Sequence, residues 1–312
     1  MKTIKMIDKK SEEFGTNKLD QYYKSEIIPP EKKKYLADLK ASVGPFMGIK
    51  HTDNKNSYMM DAASQIATLG LGFNSAPFFA PIFHEESFSN NPNSNKFRKI
   101  RRSFEGFLKR KLGWEHLATT FCHSGAEANE IALGYCYKRR VNPTAKKVLA
   151  FEGSFHGRMQ VSLSSTWNKA KREPFEWSDF LTEFVPFPNT KDSQQSREFN
   201  SEWIKNWENA PLKSFNPDLV PSEDTFSKIE WEMEKDSLTK VKSKLASGEI
   251  FAILIEPMQC EGGDQYATNR FFTALTAMAK AYEIPIIFDE VQTGYHLGGN
   301  FFWHKQFNLR NN

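Results

Sequence analysis

Two acidic motifs, each directly behind an apolar run, are the segments of this 312-residue chain best equipped for chemistry. The first is EPMQCEGG after FAILI, carrying Glu256 and Glu261; the second is DEVQTG after PIIF, carrying Asp289 and Gln292. In an open α/β sheet, ligands bind beyond the carboxyl ends of the strands. This spacing therefore aims Glu256 and Asp289 at one sheet edge. Either carboxylate alone would read as a helix cap or a surface ion pair. Together, with glycines following both (Gly262, Gly263 and Gly294), they point to a site. A third motif, HSGAEANE at 123–130, sets Ser124, Gly125 and Ala126 at the start of a periodic helix. Such a start offers free backbone N–H groups and a partial positive charge, which suits a phosphate. Ser124 with Glu127 also reads as a plain capping box. A fourth motif, GSFHGR at 153–158, places Phe155 and His156 between glycines and follows them with Arg158, whose guanidinium can grip a carboxylate through two parallel N–H groups.

No GxxxxGK or GxGxxG accompanies these motifs, which argues against ATP and NAD. Taken jointly, a phosphate cradle, an aromatic plate, a carboxylate at a strand end and a carboxylate-binding arginine suit pyridoxal phosphate. The ring would lie against Phe155 or His156. Asp289 would keep the pyridine nitrogen protonated so that the ring can draw electrons.

The elements that must position these groups follow from periodicity. Ala128, Ile131, Ala132, Tyr135 and Cys136 share one helical face, and Asn142-Pro143 ends that helix after the basic run Lys138–Arg140. Strands are expected at 147–151, 251–255 and 285–288, with helices near 96–112, 227–246 and 269–282. This strand–helix alternation predicts a mainly parallel α/β sheet flanked by helices. SYMMD at 57–61 reads as a short strand, and the glycine-punctuated AASQIATLGLGF after it as a buried loop. The first 45 residues read as a polar, irregular arm, and 166–225 as a long connection with little regular structure.

Composition narrows the class. Charged residues make up 26% and the net charge is only +4, so neither nucleic acid nor an anionic membrane is the expected partner. Three cysteines, Cys122, Cys136 and Cys260, form no CxxC, which excludes a disulfide framework and a zinc site and fits a reducing compartment. No run reaches the roughly 18 apolar residues of a membrane span. The start lacks the apolar core of a signal peptide, so a cytoplasmic location is expected.

The four motifs, with YMMDAASQIATLGLGFN before them and GNFFWHKQF after, resemble the class III pyridoxal-phosphate-dependent aminotransferases of fold type I in order and approximate spacing. The resemblance implies a division into 1–80, an N-terminal arm and part of a small domain, and 81–312, the cofactor-binding large domain. It implies that Ser124, Gly125 and Ala126 hold the phosphate. Phe155 stacks on the ring with His156 beside it, Asp289 pairs with the pyridine nitrogen, Gln292 reaches the ring hydroxyl, and Glu256 supports the site from behind. Arg158 and Glu261 would serve the substrate. KREPFEWSDFLTEFVPFP, Asp264 after EGG, and SQI at 64–66 look most like 4-aminobutyrate aminotransferase, with lysine 6-aminotransferase close behind. The implied substrates are an ω-amino acid and 2-oxoglutarate, and the implied assembly is a homodimer. Only Cys122 lies near the phosphate motif, so no metal cluster is expected.

In one respect the chain departs from the family. The Schiff-base lysine of the family lies about 30 residues beyond the aspartate of DEVQTG, and no lysine of these 312 residues matches it. Lys305, the lysine after Asp289, is too close and lies inside FFWHKQF. The expectation is therefore a C-terminally truncated chain without the family's C-terminal domain, binding cofactor but inactive alone; the alternative is a naturally short, non-catalytic form.

Overall fold

The structure is a computed structural model that describes residues 35–51, 56–61, 69–75, 95–173, 181–188, 228–297, 299–307 and 309. The expectations for the arm before residue 35, for 62–68 with SQI, and for 174–180 and 189–225 of the long connection lie outside these residues. The chain divides into two units, Met1–Phe88 and Ser89–Asn312.

In the first unit, β1 (Tyr35–Val43), β2 (Phe46–His51) and β3 (Asn56–Met60) form an antiparallel meander in the order β1-β2-β3. Regular strands thus replace the irregular backbone expected over 35–45. The reason they escaped notice is physical: the sheet buries only Ser42, Gly48 and Ile49 among its described residues, and most of the others are exposed. Without a buried face no alternation of apolar and polar residues is imposed. Register is held locally instead, by Ser42 Oγ accepting from Gly48 N at 2.8 Å and by Asn74 Nδ2 donating to the Leu39 and Ser42 carbonyls.

The second unit contains a four-stranded parallel sheet in the order β5-β4-β6-β9, built from β4 (Lys147–Phe151), β5 (Leu181–Val185), β6 (Ile250–Ile255) and β9 (Ile286–Phe288), while β7 (Met258–Gln259) and β8 (Gln265–Tyr266) form a separate antiparallel pair. Helices precede and link the strands: α1 (Asn95–Leu112), α2 (Gly125–Lys138), the short α3 (Gln160–Ser164) and α4 (Lys169–Arg172), α5 (Lys228–Ala246) and α6 (Asn269–Ala281). Every residue of β6 is buried, as its unbroken apolar run requires of a strand covered on both faces. Leu149, Phe151, Ile253 and Ile255 pack on α5 and α6 through Leu238, Val241, Phe271 and Leu275. Val148, Ala252 and Leu254 face the other way, against Leu133 of α2 and Val161 of α3. Each large side chain so buried is worth about 1.5–3 kcal/mol. The ion pairs at the sheet margin are worth about 1 kcal/mol or less each, so burial dominates the fold.

The stretch 166–225, described over 166–173 and 181–188, holds the short α4 and β5, and β5 is an edge strand of the described sheet, paired in register with β4. Its sequence, LTEFV, hides a strand because Glu183 sits at its centre. That carboxylate accepts from Lys147 Nζ at 2.9 Å and Lys244 Nζ at 2.7 Å, which fastens the edge strand to its neighbours. The inward face of α2 is rotated from the expected one. Ile131 and Tyr135 are 43% and 58% exposed, whereas Asn129 and Leu133 are buried. Helix α2 is apolar nearly all round, so periodicity could not choose its face.

Candidate active site

All strands of the sheet are parallel, so the turns after β4, β6 and β9 leave from one edge, carrying Gly153–Arg158, Glu256 and Asp289 respectively. Asp289 N donates to the Ile255 carbonyl at 2.8 Å, which continues the β6–β9 pairing one step past the strand. The α2 N-terminus meets this edge. Gly125, Ala126, Asn129, Phe155, His156, Arg158, Glu256, Asp289 and Gln292 line one cavity of about 270 Å³, together with Gly157, Met258, Val291 and Thr293.

The sequence explains the close fit. A Cβ on Gly157, where φ is 127°, would lie 2.6 Å from the Ala126 Cβ. Only glycine lets the FHGR turn rest on the start of α2. A Cβ on Gly125 would lie 2.4 Å from Val291 Cγ2, so the small residue there is required by packing as well as by any ligand. Ser124, the N-cap of α2, accepts from Glu127 N at 3.2 Å, and Glu127 accepts in turn from His123 N at 2.5 Å. Ser124 stands at the start of the helix and outside the cavity lining.

Asp289 is the most heavily bonded group of the site. Its Oδ2 accepts from Asn129 Nδ2 at 2.8 Å and pairs with His156 Nδ1 at 2.8 Å, and its Oδ1 accepts from Val291 N at 3.2 Å. Burial opposes its charge, but the His156, Asn129 and Val291 N–H bonds outweigh burial and hold the carboxyl below the usual aspartate value. Glu256 is in the opposite condition. Burial pushes its carboxyl well above the usual range and the charge of Asp289 adds to the push; its one opposing bond is from Phe155 N to Oε2 at 3.0 Å. His156 Nε2 is buried with no partner among the described residues.

Asn129 and Thr166 were not found from sequence. Asn129 also donates to the His156 carbonyl at 2.9 Å, and Thr166 Oγ1 accepts from His156 N at 2.9 Å, so these two residues fix the histidine that fixes Asp289. The signal for Asn129 was a lone amide within a largely apolar helix. Glu261 is not part of this lining. It is paired with Lys171, whose Nζ lies 4.6 Å from the Phe155 ring centroid, and it borders a neighbouring cavity of about 630 Å³ with Glu152, Trp167, Asn168 and Lys169. Among the described residues no helix is long and apolar enough to cross a membrane, and no group of three or more His, Cys, Asp or Glu is arranged to hold a metal ion.

The fold is of the α/β class, and sequence comparison gives the family: the chain belongs to the class-III aminotransferases, whose family model matches residues 29–311. The family implies pyridoxal phosphate as cofactor. The mitochondrial acetylornithine aminotransferase of Candida glabrata is 29% identical over 260 residues, covering 81% of this chain and 50% of that protein. The 4-aminobutyrate aminotransferase of Schizosaccharomyces pombe is 25% identical over 311 residues, covering 88% and 58%. A solved lysine aminotransferase from M. tuberculosis shares the fold, with a TM-score of 0.67 at 22% identity over 93% of this chain and 62% of its own. The chain spans about half the length of the curated relatives it matches.

Proposed function

We propose that this pocket binds pyridoxal phosphate for an aminotransferase reaction. A terminal amino group of a 4-aminobutyrate-like ω-amino acid would pass to 2-oxoglutarate, leaving a semialdehyde and glutamate. The observation that carries the reading is the convergence of the first turn of α2, the Phe155 ring and the Asp289 carboxylate on one cavity. The N–H groups of that turn, at Ser124, Gly125 and Ala126, would take the phosphate. The flat face of Phe155 would take the ring, with His156 beside it and Gln292 at the ring hydroxyl. Asp289, anionic and held by three donors, would pair with a protonated ring nitrogen. Bound there, pyridoxal phosphate supplies an aldehyde carbon that captures amines and a ring that withdraws electrons.

Glu256 fixes the backbone of Phe155 and closes the cavity behind it. Arg158 lines the cavity and is exposed, as a group that meets an incoming substrate carboxylate must be. Glu261, held by Lys171 beside Phe155, would act at the substrate's approach. The acetylornithine, 4-aminobutyrate and lysine aminotransferases among the relatives support the ω-amine class; lysine 6-transamination or transfer from another ω-amino acid is the alternative within it. No lysine lines the cavity among the described residues, so residues 1–312 by themselves are expected to bind the cofactor without covalent attachment and without turnover. A homodimer, and a division into 1–80 and 81–312, complete the proposal.

The test is titration of the chain with pyridoxal phosphate, followed by the absorbance of the bound ring. Borohydride reduction and mass analysis come next, then assays with 4-aminobutyrate, N-acetylornithine and lysine. Saturable binding without a reduced covalent adduct is expected. No saturable binding would sink the cofactor reading, and turnover of any of the three amines would sink the expectation of inactivity.

A further inference from the structure

The two carboxylates of the cavity differ in what surrounds them. Asp289 receives three hydrogen bonds, one from the ring nitrogen of a histidine. Glu256 is 5% exposed and receives one, from Phe155 N to Oε2, and Oε1 has no protein partner among the described residues. The charged groups that act on Glu256 are Asp289 from the turn after β9 and Glu261 from the turn after β7 (Met258–Gln259), and both are anions. Cys260, from the same turn, is itself pushed up to about 12 by burial first and by the charges of Glu256, Asp264 and Asp289 after it. The nearby cations are committed elsewhere or face solvent: Lys171 is paired with Glu261, and Arg158 is exposed. A buried carboxylate with one donor and two anionic neighbours is expected to take a proton, leaving one negative charge in the cavity. A buried acid kept neutral at working pH gains a function that its ionised form lacks, because it can donate a hydrogen bond.

We propose that Glu256 is a neutral carboxylic acid that donates a hydrogen bond to an anionic oxygen of the bound ligand, while Asp289 alone carries the charge of the cavity. Resting on the cofactor reading, this assigns the ligand oxygen by class: the phenolate of a pyridoxal ring. Glu256 is then a proton-holding group beyond its part in fixing Phe155.

The sign of the pH dependence follows. A carboxyl whose folded-state pKa lies above its unfolded value of about 4.5 favours the fold fully below that value and loses its contribution as pH rises through the folded one. Glu256→Gln removes that loss, so its melting temperature should equal or exceed that of wild type, with a gap that widens from about pH 5 to about pH 8. Without cofactor, the infrared difference between wild type and Glu256→Gln near neutral pH should contain the carbonyl band of a protonated carboxyl group. With cofactor, Glu256→Gln, which keeps a donor, should bind pyridoxal phosphate about tenfold more tightly than Glu256→Leu, which has none. A missing band, or a Gln variant less stable than wild type across the whole range, means that Glu256 is an anion and overturns the proposal even if the cofactor binds. Equal affinity of the Gln and Leu variants overturns the donor role. The band together with no cofactor binding by wild type instead overturns the cofactor reading and the donor role with it, so the two failures are told apart.

Discussion

Helices α2 and α6 both begin at a hydroxyl N-cap at the margin of the same sheet. Ser124 accepts from Glu127 N and Thr268 from Phe271 N. Beyond that shared device they differ. At α6 the cap is sealed: Thr268 Oγ1 donates to Glu234 Oε1 at 2.5 Å, and Arg270 Nε donates to Glu234 Oε2 at 2.6 Å, all three residues being buried. At α2 the positions after the cap are Gly125 and Ala126, and the first turn lines a cavity. Every helix start is a potential anion site. At α6 the first turn is closed in by the buried Glu234 cluster, whereas at α2 it opens on the cavity, and the proposed phosphate site draws on that difference.

Breaking the sealed end should have the largest effect. Glu234→Leu takes an ion-pair partner from the buried Arg270, and a loss of about 3–5 kcal/mol is expected in chemical denaturation. The affinity of the folded fraction for pyridoxal phosphate should be unmoved, because that cluster does not line the cavity. At the open end, Gly125→Ala should cost about 1–3 kcal/mol through its clash with Val291 and should weaken cofactor binding as well. Adding Val291→Ala should recover much of the stability, as a double-mutant cycle would reveal. Removing the caps sharpens the contrast. Ser124→Ala and Thr268→Ala should each lose about 1 kcal/mol, yet only the former should weaken competition by inorganic phosphate for the pyridoxal phosphate site. Equal effects on phosphate would end the distinction between the two helices. The smallest expected effect concerns pH. Asp289 titrates below its unfolded value of about 3.8, so its ionised form stabilises the fold above that value and the contribution is lost as pH falls through the folded one. Melting curves of wild type and Asp289→Asn should therefore separate above about pH 5 and converge in acid.

Much of the sheet and its active edge was legible because burial on both faces forces an unmistakable pattern. The run FAILI could only be a covered strand, and the residue after it had to lie at the sheet edge. Glu256 and Asp289 were located that way, as were α1, α2, α5 and α6 to within a residue or two. What escaped lacked a burial signature. Strands β1 and β2 bury only Ser42, Gly48 and Ile49 among their described residues, and β5 carries a glutamate that two lysines neutralise. Asn129 escaped for a different reason: it lies off the face that the periodicity picked out, and its use appears only when Asp289 and the His156 carbonyl arrive from distant parts of the chain. The Lys171–Glu261 pair beside Phe155 likewise needs the folded turns to be recognised.

The contact between Gly125 and Val291 also limits how such a chain can drift over generations. A larger residue at 125 is tolerated only after a smaller one has appeared at 291, since the missing Cβ would sit 2.4 Å from the valine methyl. Val291 is 55% exposed, so a smaller residue there leaves no enclosed void and costs the fold little by itself. The motifs SGAEANE and DEVQTG, far apart in the chain, are thus sterically coupled through one contact.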